Sequence, residues 1–135
     1  MSAEARVAAC ACGQLRLSFA GAPKRVSVCH CFECQRRTGS VFGVQCRFDH
    51  AQLVSKEGAS KAYTRRGDSG TAMQFNFCET CGSTVYWEHP ALPGSLVVAA
   101  GAFADPTLGA PTYSVYEERM HPWVKLDGPD IEHHP

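Results

Sequence analysis

The sequence predicts one mostly β domain. Short runs of alternating apolar and polar residues recur between Gly and Pro, only one brief segment reads as helical, and 135 residues are enough for a single core. The first run is residues 14–19, where Leu15, Leu17 and Phe19 point one way; Val26 and Val28 do the same ahead of a cysteine cluster. Residues 33–38 form one short helix, ended by Gly39 at a position that suits a left-handed backbone. Further strands are expected over residues 41–48, 72–77, 84–88, 96–100 and 113–116, which are rich in aromatic and β-branched residues. Residues 65–70, polar and glycine-rich, read as a mobile loop that borders a site. Residues 1–128 are taken as the domain and 129–135 as a surface tail, its paired histidines binding metal only adventitiously.

Charge and hydropathy exclude several classes of partner. Thirteen basic and thirteen acidic residues cancel, leaving no field to draw the chain to nucleic acid or anionic lipid. The longest apolar run, Leu96 to Ala104, is half of the roughly 18 residues that suggest a membrane span. Nothing from Met1 to Arg6 resembles a secretory signal, so a reducing, cytoplasmic setting is expected, in which clustered cysteines mean metal sooner than disulfides.

Seven of the eight cysteines fall into three clusters: Cys10 with Cys12, Cys29 with Cys31 and Cys34, and Cys78 with Cys81. A Cys-x-Cys or Cys-x-x-Cys segment curls so that its sulfurs face one point about 2.3 Å away, the zinc–sulfur distance. Seven thiols do not divide into two four-ligand cages. They suggest one closed site and one with three protein ligands, whose remaining position is left for an incoming thiol. Cys10, Cys12, Cys78 and Cys81 are the natural closed set, because a metal that joins distant segments stabilises a small β protein most, although spacing alone leaves other pairings open. Gly13 and Gly82 follow the two pairs, where a residue without Cβ permits a tight turn that aims N–H groups at sulfur. Two zinc ions per chain are expected.

Around the central cluster, His30 sits between two ligands and is expected to pack or brace rather than bind the ion. Arg36 and Arg37 are placed to offset thiolate charge or to hold a substrate carboxylate. Cys46 reads as a buried small hydrophobe, His50, His89 and His121 receive no role, and Trp87 and Trp123 read as core or pocket aromatics.

The motifs Cys10-Ala11-Cys12-Gly13, Cys29-His30-Cys31-Phe32-Glu33-Cys34 with Thr38-Gly39, Phe77-Cys78-Glu79-Thr80-Cys81-Gly82-Ser83 and Pro122-Trp123 resemble those of the glutathione-dependent formaldehyde-activating enzyme and centromere protein V family. The resemblance implies an Mss4-like fold of several small antiparallel sheets stapled by zinc. It implies a structural zinc at Cys10, Cys12, Cys78 and Cys81 and a second zinc at Cys29, Cys31 and Cys34. It further implies carbon–sulfur lyase chemistry, in which glutathione and formaldehyde combine to S-hydroxymethylglutathione. Gln35 departs from the family, whose members commonly carry arginine there. Two other readings accompany this one: a non-catalytic zinc-stabilised binding module, as in the centromere branch, and a thiol redox sensor.

Overall fold

The computed structural model describes residues 5–67 and 70–135. Strands β1 (Ala5–Ala9), β2 (Arg16–Ala20) and β5 (Leu53–Glu57) form a three-stranded antiparallel sheet in the order β1-β2-β5. Strands β3 (Arg25–Cys29), β4 (Gly43–Asp49), β6 (Ser60–Arg66), β7 (Ala72–Cys78), β8 (Thr84–Glu88), β9 (Ser95–Ala99), β10 (Tyr113–Val115) and β11 (Glu132–His133) form a second sheet, in the order β11-β10-β3-β4-β9-β8-β7-β6. This sheet is antiparallel from β3 to β6, while β10 runs parallel to both β3 and β11. Helix α1 (Phe32–Thr38) follows β3 after two residues and ends at Gly39, whose φ of 73° is the left-handed cap expected there.

Period-two alternation separates the two faces of the large sheet. Phe48 and Cys46 of β4, Leu96 and Val98 of β9 and Val85 of β8 turn toward Leu15, Leu17 and Phe19, and together these make the main core. Phe19 stacks on Phe48 with ring centroids 4.3 Å apart, and Phe103 closes against both. The other face gathers a smaller cluster, Phe75, Trp87 and Val97, which lie side by side because β7, β8 and β9 pair Phe75 with Trp87 and Trp87 with Val97. That second face carries the pocket described below.

Four strands went unread in the sequence. β6 is an edge strand, and five of its seven residues are exposed; with only one neighbour it carries lysine and arginine where a central strand would alternate. Arg65 and Arg66, expected in a loop, belong to β6, whereas Asp68 and Ser69 of that expected loop lie outside the described residues. β1 and β5 are likewise edges of the small sheet. The tail is exposed, yet it is held: Glu132 N–H donates to the Thr112 carbonyl (2.9 Å), His134 N–H to that of Ser114 (2.8 Å), and Glu117 N–H to that of His134 (3.0 Å). A strand recruited across that distance leaves no local pattern.

Candidate metal centres

The four thiols of Cys10, Cys12, Cys78 and Cys81 meet, their sulfur atoms all within 4.8 Å of one another. Cys10 and Cys12 lie in the turn leaving β1, and Cys78 ends β7, so each sheet delivers one pair. The Cys10–Cys12 and Cys12–Cys78 sulfur separations are 3.6 and 3.7 Å, and all eight cysteines are free. Gly13 and Gly82 adopt φ of 83° and 81°, and their N–H groups donate to the carbonyls of Cys10 (3.1 Å) and Cys78 (2.8 Å). An added Cβ would meet nothing within 4 Å at either, so backbone conformation rather than space calls for glycine. The N–H groups that point at sulfur are those of other residues: Leu15 to Cys10 (3.3 Å), and Thr80 (3.3 Å) and Cys81 (3.4 Å) to Cys78.

Gln14, which no motif marked, ties this knot to Ala59 in the turn before β6. Its amide nitrogen donates to Cys78 Sγ (3.0 Å) and to the Ala59 carbonyl (2.6 Å), while its oxygen accepts from Ala59 N–H (2.9 Å). Burial works against the Cys78 thiolate, but the Gln14 amide and the N–H groups of Cys81 and Thr80 hold the thiol down at about 7. Ser83, through its hydroxyl and its N–H, brings Cys81 down to about 5.

The second set is Cys29, Cys31 and Cys34, again within 4.8 Å of one another. Cys29 closes β3, Cys31 is the N-cap of α1, and Cys34 lies in the first turn, where its N–H donates to Cys31 Sγ (3.3 Å). The thiols of Cys29 and Cys34 donate to Cys31 and pull it down to about 2; the same contact pushes Cys29 up. These three sulfurs line a cavity of about 190 Å³ together with Phe75, Trp87 and Val97. Both donor sets are all-sulfur and receive backbone N–H groups, which fits a soft tetrahedral ion such as zinc.

Other candidates fall where packing puts them. Cys46 lies in the main core with no exposure, and burial pushes its thiol up to about 12; it joins neither cluster. We expect Cys46→Ser to cost about 1–3 kcal/mol, the penalty for a buried hydroxyl without a partner, at unchanged zinc content. Chemical unfolding and elemental analysis read both, and loss of a metal equivalent would make Cys46 a ligand. His30 is fully buried, its Nε2 3.1 Å from Ser114 Oγ and its ring 5.9 Å from Phe42, and desolvation keeps its pKa low. Burial opposes the Glu117 carboxylate, but the Ser114 hydroxyl and His133, 2.6 Å away, hold its pKa low, so a polar chain links the tail to His30.

Gln35, the departure from the family pattern, is a brace. Its amide nitrogen donates to the carbonyls of His30 (2.9 Å) and Arg119 (3.3 Å), and its oxygen lies 3.1 Å from His121 Nε2. The two arginines that follow separate. Arg36 is three-quarters exposed and donates to Glu33 (3.2 Å), while Arg37 lines the cavity with its guanidinium carbon 4.5 Å from the Trp87 ring centre. Arg65 of β6 also lines it, 4.7 Å from the Phe75 ring and paired with Glu33 at 3.3 Å; an arginine on a polar edge strand carries no sequence signal. His89 lines the cavity, His50 pairs with Glu88 at the surface, and Trp87 is buried in the wall. Trp123 departs from its expected core or pocket place: it is 70% exposed and meets His121 edge-on, because the turn after β10 leaves it outside both clusters.

Two thiol turns that meet in one four-sulfur cluster, with Cys12 and Cys81 exposed, and a more buried three-sulfur loop that lines a pocket define a protein with two cysteine clusters able to hold metal ions. The family model of the glutathione-dependent formaldehyde-activating enzyme matches residues 5–119, and the chain belongs to that family. A Rhodobacter sphaeroides protein of known crystal structure shares the fold, with a TM-score of 0.55, 19% identity and coverage of 75% of this chain and 92% of that one. No curated protein matches the chain. No helix among the described residues is long and apolar enough to cross a membrane.

Proposed function

We propose that the chain is a zinc-dependent enzyme of the carbon–sulfur lyase type that takes up a small thiol such as glutathione and promotes its addition to an aldehyde such as formaldehyde. The observation that carries this reading is the three-thiol set at a cavity, beside a separate four-thiol set. Cys10, Cys12, Cys78 and Cys81 would hold a structural zinc; Cys29, Cys31 and Cys34 would hold a second one. Held there by three thiolates, a zinc would favour the thiolate form of an outside sulfur.

The residues of the chain do the rest. Phe75, Trp87 and Val97 give the cavity an apolar surface, and the Arg37 guanidinium sets positive charge at the same cavity as three sulfurs. In the addition, the thiol sulfur forms a bond to the carbonyl carbon, the C=O π bond breaks, and the proton lost by sulfur ends on oxygen. No side chain need attack, so the rate derives from holding two reactants together and from the thiolate population. Zinc-loaded protein mixed with glutathione and formaldehyde should form S-hydroxymethylglutathione faster than buffer does, followed by proton NMR. A rate equal to the uncatalysed one removes this reaction.

A further inference from the structure

The cavity is lined by a cation, Arg37, that the described residues leave partly unsatisfied. Its Nε and Nη2 are buried and have no hydrogen-bond partner among the described residues. These two nitrogens form one edge of the guanidinium, the fork that matches both oxygens of a carboxylate. The acid close by, Glu33, is already shared between Arg36 at 3.2 Å and Arg65 at 3.3 Å. Buried donors without partners are uncommon, and a charged one more so. Room for the guanidinium is provided by Gly43, where a Cβ would stand 2.8 Å from Arg37 Nη2.

Size and lining narrow what would complete it. A cavity of about 190 Å³ is large enough to take a short organic acid whole. Phe75, Trp87 and Val97 give the cavity an apolar surface that suits methylene groups, and of the charged groups that also line it Arg65 and Glu33 are paired with each other. We propose that the pocket recognises short thiols that carry a carboxylate, with Arg37 as the residue that binds the carboxylate and sets the preference over neutral thiols. The inference rests on the reading of the pocket as a thiol site. It adds a substrate class: a mercapto acid lies wholly inside.

The test is calorimetric titration of the zinc-loaded protein with β-mercaptopropionate and with its neutral amide, β-mercaptopropionamide. The acid should bind about 10- to 100-fold more tightly, the usual worth of hydrogen bonds to a charged group. Arg37→Leu should bring the acid down to the affinity of the amide and leave the amide unchanged, and Arg37→Lys should retain part of the preference. Gly43→Ala, which displaces Nη2 without removing the charge, should also shrink the difference and serves if Arg37→Leu does not fold. Equal binding of acid and amide by the unaltered protein overturns the carboxylate subsite while the thiol site stands. A preference that survives Arg37→Leu assigns the carboxylate elsewhere and likewise overturns the proposal. Binding of neither thiol overturns this inference together with the functional reading beneath it.

Discussion

Stripping the metal from Cys10, Cys12, Cys78 and Cys81 should abolish the cooperative unfolding transition. The turn leaving β1 and the end of β7 belong to different sheets, and Cys12 and Cys78 are 66 residues apart in sequence. Without an ion, four sulfurs, two of the pairs 3.6 and 3.7 Å apart, hold one another through weak S–H contacts only, and thiolates among them repel. A structural zinc contributes on the order of 10 kcal/mol, as much as the roughly 5–15 kcal/mol that keeps a domain folded. Calorimetry with and without a strong chelator, alongside Cys78→Ser, measures the effect. Cys78 is the informative position because three N–H donors, from Gln14, Thr80 and Cys81, converge on its sulfur. A thermal midpoint unmoved by both treatments would show that the two sheets hold together by the aromatic core alone.

Cys31→Ser should have the opposite profile, keeping the fold and losing the chemistry. Serine is a good N-cap, so its hydroxyl can accept the Cys34 N–H that Cys31 Sγ accepts now, and α1 keeps its start. What disappears is a soft donor. Zinc content should fall from two equivalents to one, and adduct formation should drop by about two to three powers of ten, the several kcal/mol that metal activation of a nucleophile supplies. Elemental analysis and the NMR assay report these separately. Two equivalents retained in Cys31→Ser would mean that the donor set is wrongly drawn, and full activity with one equivalent would detach the chemistry from the second metal.

Much of the fold was legible because central strands bury alternate residues. The run over residues 84–88 is β8 itself, and Leu15, Leu17 and Phe19 are three of the most deeply buried side chains in the core. Edge strands were not legible: β6 presents lysine, tyrosine and arginine to solvent, so the apolar period that marks a strand is missing. Parallel pairing of β10 with β3 and β11 was equally hidden, since it joins residues nearly 90 and 20 positions apart through backbone groups that any sequence has.

The sequence by itself determined the three cysteine groups, the glycines after two of them and a short helix over residues 33–38 ended by Gly39, because ligand spacing and turn chemistry are local properties of the chain; that Cys31 caps it was decided by the structure. Only the tertiary structure decided which pairs meet, that Arg37 and not Arg36 faces the cavity, and that Arg65 of a distant strand joins it. Those outcomes depend on sheet order and on the face to which each strand turns its alternate residues, and both are settled by burying one common core.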